Sequence, residues 1–298
     1  MLIDTTLREG EQLFGAYFTP ETRRTILKHL HTAGVEEAEV GCVGRDGLAE
    51  LLAWAREHCP GMALGVWCPC REEALTEAAG LDTDRVNVGV PVSDLHLEDR
   101  LGWSRQDLIA QVRSIVGKAR ALGVPYLSLG LEDATRADPV FVVEVARVAH
   151  WHGAARVRLS DTVGHGTPDQ IRELVQRVGR SGVTVAVHCH NDFGMGTANA
   201  VTALRNGATF ADGTLLGIGE RAGIAATEEL AAYLRMGSGQ GAYVVEHLCM
   251  ACELVSARAG VSIARTKPVV GTDIFCCETG LHLDGLGKNP ALFEPYAP

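Results

Sequence analysis

Histidines 188 and 190 stand one residue apart in the stretch VHCHNDFGMGTANA, 187–200. The run leading into them, VTVAVHCH, reads as a β-strand rich in β-branched residues. Side chains two apart on a strand share a face, so both imidazoles point one way and Cys189 the other. Two imidazoles on one face at a strand's end can hold a divalent metal. The competing reading is a pair of hydrogen-bonded histidines in a polar strand end. Other polar groups gather in three places: Arg8, Glu9 and Gln12; Glu132, Asp133 and Arg136; Asp161 and Thr162. Adding the Glu9 carboxylate to His188 and His190 makes a facial set of three ligands, with open positions for substrate or water. Glu9 could instead pair with Arg8 or Arg136. An arginine beside such a metal would stabilise a developing oxyanion, as chemistry through an enolate or carbonyl requires. A substrate with adjacent keto and carboxylate oxygens could chelate the metal, with Arg136 as a second carboxylate clamp.

These groups need a scaffold that gathers them. Eight short apolar runs read as strands: LIDTT, EAEVG, ALGVW, RVNVGV, YLSLGLE, RVRLSD, TVAVHC and FADGTL. Helical segments lie between them. Thr19-Pro20, Asp138-Pro139 and Thr167-Pro168 each place a capping residue before a proline at the first helical position, and Ser104 opens a further helix that ends near Gly123. Strand–helix alternation implies parallel strands with right-handed crossovers, and eight units imply a (β/α)8 TIM barrel. The polar groups then fall after the first, fifth, sixth and seventh strands, at the rim where barrels of this kind carry their active sites. The expected barrel domain is 1–236, its last helix about ATEELAAYLRM. GSGQG then breaks the pattern. The segment 237–298 is expected as a helix near Tyr243–Ala259 and a Gly- and Pro-rich tail, folded over the barrel mouth or exchanged with a neighbour. GIGERAG, 217–223, is one residue too long for a dinucleotide fingerprint and reads as a tight turn carrying a Glu220–Arg221 pair.

With 298 residues, 46% of them apolar, the chain can bury a large core. A net charge of -10 with no basic run argues against a nucleic-acid partner. No apolar run is long enough to span a bilayer, and the start, MLIDTTLREGEQ, lacks the features of a signal peptide. Nine scattered cysteines then suggest reduced thiols in the cytoplasm.

DTTLREGEQ, EDATRAD, SDTVG, HCHNDFGMGTANA, GIGERAG and ETGLHLDGLGKNP occur in one order. Together they resemble the homocitrate, isopropylmalate and citramalate synthase family, the acyl-transferring branch of the DRE-TIM metallolyases. EDATRADPVF, PVSDLHLEDRLGWSR and the presence of Glu9 resemble most the homocitrate synthases of nitrogenase cofactor synthesis. The resemblance implies a Claisen condensation of acetyl-CoA with a 2-oxo acid, 2-oxoglutarate foremost, followed by thioester hydrolysis; the alternatives are another 2-oxo acid of secondary metabolism, a carbon–carbon lyase of the same superfamily, or a barrel that has lost its catalysis. It implies a divalent metal (Mg, Mn or Zn) on Glu9, His188 and His190, and Arg8 polarising the keto oxygen. Gln12, Arg136 and Thr162 match substrate-contacting positions. His282 matches the base, which in this family often comes from the partner subunit of a homodimer. The chain departs from the family in four places, one of them GCVGRDG, 41–47, where the family has a GIPA-like stretch after the second strand. Ile224 stands where an asparagine completes the metal site, Cys277 replaces a histidine, and Phe293 replaces a tyrosine that assists the base.

Overall fold

The computed structural model describes residues 1–239 and 242–296. Eight parallel strands close into a barrel: β1 (Leu2–Asp4), β2 (Glu37–Cys42), β3 (Ala63–Pro69), β4 (Arg85–Pro91), β5 (Leu127–Glu132), β6 (Arg156–Asp161), β7 (Thr184–Cys189) and β8 (Phe210–Gly213). Strand order follows the sequence, and β1 pairs with both β2 and β8. All eight strands expected from the apolar runs form. Around them run α1 (Pro20–Thr32), α2 (Leu48–His58), α3 (Glu72–Ala79), the single turn α4 (Asp94–His96), α5 (Arg105–Ala121), α6 (Pro139–His152), α7 (Pro168–Gly179), α8 (Gly196–Arg205) and α9 (Thr227–Ala232).

The helix starts obey local chemistry. Thr19 accepts from the Thr22 amide, and Asp138 from the Val140 amide at 2.9 Å. Ser104 with Asp107, and Thr167 with Gln170, form full capping boxes. The expected ATEELAAYLRM helix runs as α9 for six residues and continues as a wider π-type turn over Tyr233–Gly237.

Alternation along the strands decides what fills the barrel. On β2, Ala38 and Val40 join the apolar core, while Glu37 and Glu39 are buried charges; β6 repeats this with Val157 and Leu159 against Arg156 and Arg158. Arg156 forks onto Glu37 with two bonds of 2.8 Å. Arg158 reaches Glu39 at 2.9 Å and Asp212, on β8, at 3.2 Å. With Asn87 oriented to accept from Arg158 at 2.9 Å, its amide nitrogen donates to Ser128 at 3.0 Å. Barrels of this type usually pack branched apolar side chains inside. Here much of the interior is a charge ladder, which is stable only because each charge meets its opposite.

Of the GSGQG break, Gln240 and Gly241 lie outside the described residues. The next helix, α10 (Val245–Ala259), starts two residues later than expected. Tyr243 and Val244 are held extended instead: the Val244 amide donates to the Ala33 carbonyl at 2.9 Å, and the Tyr243 hydroxyl donates to Glu36. Leu248, Ala251, Cys252 and Val255 are buried as α10 packs on α1 and α9. The tail carries one more helix, α11 (Gly280–Lys288), which packs on the single turn Pro290–Leu292. All nine cysteines are free thiols. Among the described residues no helix is long and apolar enough to cross a membrane.

Candidate active site

The loops at the C-terminal ends of the strands enclose a cavity of about 290 Å³. Arg8, Glu9, Gln12, Thr162, His188 and His190 all line it. Glu9 sits just past β1, in a tight turn where the Arg8, Glu9 and Gly10 amides all point at the Thr5 carbonyl. His188 lies on β7 and His190 one residue beyond its end, as alternation requires; Cys189 faces the apolar core. One ligand atom from each of Glu9, His188 and His190 falls within 4.8 Å of the other two.

Buried neighbours orient each of the three. His188 Nδ1 bonds Asp212 Oδ2 at 2.7 Å, which turns Nε2 towards Glu9, 3.8 Å away. A carboxylate behind an imidazole fixes the ring and raises its basicity as a ligand. Burial, reinforced by His188, pushes His190 down to about 3. His190 is therefore neutral, as a ligand must be, and its buried Nδ1 has no hydrogen-bond partner among the described residues. Burial works to raise the Glu9 carboxyl, but Arg8 and the two imidazoles outweigh it and hold it below its ordinary value. Arg8 pairs with Glu9 and, through Nε, with Glu39 at 2.6 Å, so its guanidinium is anchored from two sides. Gly219 leaves room here, because a Cβ would lie 3.0 Å from Glu9 Oε1 and would press on the carboxylate. A carboxylate and two imidazoles suit a borderline divalent cation such as Zn, and Mn or Mg where substrate supplies further oxygens.

Thr162 Oγ1 accepts from the Asp133 amide at 2.9 Å, leaving its own proton free to donate into the cavity. Two other sequence-identified residues lie elsewhere. Arg136 is not among the lining residues; both its Nε and Nη2 bond Asp133, at 2.7 and 2.8 Å. Asp133 itself is buried in the left-handed region, at φ 60°. His282 is on α11, its ring 4.2 Å from that of Phe293, and does not line the cavity of its own chain. Asp161, Asn191 and Asp192 shape the rim: Asp161 takes the Thr135 hydroxyl and the Gly166 amide, Asn191 the Gly196 amide, and Asp192 the Arg221 guanidinium. The Glu220–Arg221 pair forms as expected, in a turn with Gly217, Arg221 and Gly223 at positive φ.

Sequence reasoning did not find Trp67, Asn87, Arg100, Arg158, Ser160 or Glu220, which also line the cavity. Arg158 left one signal, since charges at alternate positions of an otherwise apolar strand face the barrel interior. Arg100 left none. It comes from the loop after β4 and bonds Glu132 at 2.9 Å. Gly89 makes room for that carboxylate, as a Cβ there would lie 2.5 Å from Glu132 Oε1.

Residues 1–259 match the HMGL-like family. The whole chain is 34% identical to a putative (R)-citramalate synthase of Methanopyrus kandleri, of which it spans 59%. It is 35% identical to a probable 2-isopropylmalate synthase of Ignicoccus hospitalis and 34% identical to 2-isopropylmalate synthase 2 of Caldanaerobacter subterraneus, spanning 75% and 78% of them. Among solved structures, hydroxymethylglutaryl-CoA lyase from Pseudomonas aeruginosa superposes with a TM-score of 0.80 over 93% of this chain and 97% of its own, at 21% identity. That likeness is one of fold.

Proposed function

The chain belongs to the HMGL-like family, and we propose that its barrel mouth condenses acetyl-CoA with a 2-oxo acid, 2-oxoglutarate foremost, and then hydrolyses the thioester. The observation that carries this reading is the Glu9–His188–His190 set beside a doubly anchored Arg8, on the wall of a polar cavity. The relatives named as citramalate and isopropylmalate synthases support the reaction class.

Glu9, His188 and His190 would hold a divalent metal, which when bound supplies Lewis acidity to a chelated keto and carboxylate pair. Arg8 is fixed where it can bond the keto oxygen as negative charge develops there. Thr162 and Gln12 offer donors to the substrate carboxylate, and Arg100 is a second cation for a longer dicarboxylate. A base takes a proton from the acetyl methyl, and the carbanion forms the new carbon–carbon bond at the keto carbon. Water then cleaves the thioester and releases the thiol of CoA. We assign the base to His282, acting from a neighbouring subunit in a homodimer. Its absence from the cavity of its own chain supports that assignment, as do the exposed apolar side chains Leu281, Leu283 and Leu292 around it.

The test is thiol release from acetyl-CoA with 2-oxoglutarate, 2-oxoisovalerate or pyruvate, each with Mg, Mn or Zn. Release that needs both a 2-oxo acid and a metal is expected. Release with no acid above background, across all metals, would remove the condensation reading.

A further inference from the structure

The outer helices of the barrel turn apolar side chains inward and polar ones outward. Thus α7 exposes Asp169, Arg172, Glu173, Gln176 and Arg177. α6 departs from this pattern. Its inward face, Phe141, Val142, Val145, Ala146 and Ala149, is buried. Its outward face carries Val140, Glu144, Arg147 and Trp151, with Val143 and Val148 half-buried along the same stripe where they also touch the core. Val140 is 69% and Trp151 87% exposed. A groove of about 540 Å³ runs beside the stripe, closed on its other side by Arg177 and Arg180. Helices apolar on both faces are normally covered, and contiguous exposed apolar patches mark interaction sites.

The order of the stripe identifies what covers it. Read along the helix it is apolar, apolar, acid, base, apolar, apolar. We propose that it is a homotypic interface, with α6 of one copy lying antiparallel to α6 of a second copy. The two-fold axis would pass level with the midpoint between Val145 and Ala146. Val140 then opposes Trp151 of the second copy, Val143 opposes Val148, and Glu144 opposes Arg147, each pair occurring twice. Neither Glu144 nor Arg147 forms an ion pair within its own chain among the described residues, although they are three apart on one helix. A parallel arrangement would set Glu144 against itself, and an acidic partner of another kind would repel Glu144. Of the two ways to pair α6 with a second α6, the closed antiparallel one matches every position, as isologous contacts require. One helix pair is small against the roughly 800 Å² per partner of a stable interface, so the edge of α7 along the groove would join it. This surface is on the flank of the barrel and is separate from any crossing of tails at its mouth.

The experiment is sedimentation of the full chain. The side chains changed are exposed, so folding should survive. Glu144→Arg sets arginine against arginine in both pairs, and Arg147→Glu sets glutamate against glutamate; each alone should halve the mass of the assembly. Mixing the two variants should restore it, because one copy then presents only arginines and the other only glutamates. Trp151→Asp should weaken the assembly about thirtyfold, as loss of a large aromatic anchor does. An unchanged mass in Glu144→Arg and Trp151→Asp would overturn the interface. A mixture no heavier than its components would overturn the antiparallel register.

Discussion

The barrel mouth and the tail contribute to the proposed chemistry in opposite ways. At the mouth three buried charged or polar groups are each held by another: His188 by Asp212, Arg8 by Glu39, Glu39 by Arg158. In the tail, His282 has an aromatic neighbour, and Leu281, Leu283 and Leu292 face outward. The mouth is organised within one chain, because a metal site tolerates little displacement and each ligand needs a fixed partner. The tail is organised as a surface, with exposed apolar side chains of the kind that mark interaction sites. Metal binding should therefore depend on one chain, and proton transfer on two.

The largest effect should come from the mouth. His188→Ala should take turnover to background and lower metal retention on dialysis. Undiminished turnover would break the comparison at its first term. Next is the support beneath the site. Glu39→Gln leaves Arg8 and Arg158 short of a buried partner and should cost about 3–5 kcal/mol in denaturant unfolding at neutral pH. The same carboxylate sets a pH dependence. Burial works to raise Glu39, but Arg158 and Arg8 outweigh it and hold it to about 2, against an ordinary 4.5. Its stabilising contribution is complete above about pH 4.5 and fades as pH falls towards 2. Melting curves of the wild type should drop through that window, and those of Glu39→Gln should drop less.

The tail is tested by mixing His188→Ala with His282→Ala. If His282 acts across subunits, half of the randomly mixed dimers hold one intact site of two, so about a quarter of wild-type activity should return. No recovery after proven subunit exchange would place the base within its own chain. Full activity of His282→Ala alone would remove it as the base. The smallest effect concerns Ile224, which is buried and bridged to His190 across the mouth. Ile224→Asn should tighten metal binding a few-fold in calorimetry by offering an oxygen where the isoleucine has none. Unchanged affinity would mean that the coordination does not use that side.

Period and capping chemistry determined the barrel from the sequence alone. Each strand had its apolar run, and four helices carried side chains that satisfy their first amides wherever the rest of the chain lies. The metal triad was legible for a similar reason. His188 and His190 share a face by alternation, and the end of every barrel strand lies on one rim, which brings Glu9 near them. Tertiary structure alone decided where the long, flexible side chains went. Arg136 and Arg100 both come from loops at the rim, yet Arg136 turns to Asp133 and Arg100 lines the cavity beside Glu132. Nothing in local spacing separates them, because an arginine's direction is set by whichever carboxylate the closed fold brings within reach. The pairing of Glu39 with both Arg8 and Arg158 joins β2 to the loop after β1 and to β6, 119 residues away, and exists only once the barrel closes. Sequence period fixes which face a short side chain occupies; closure of the barrel chooses the partner of a long one.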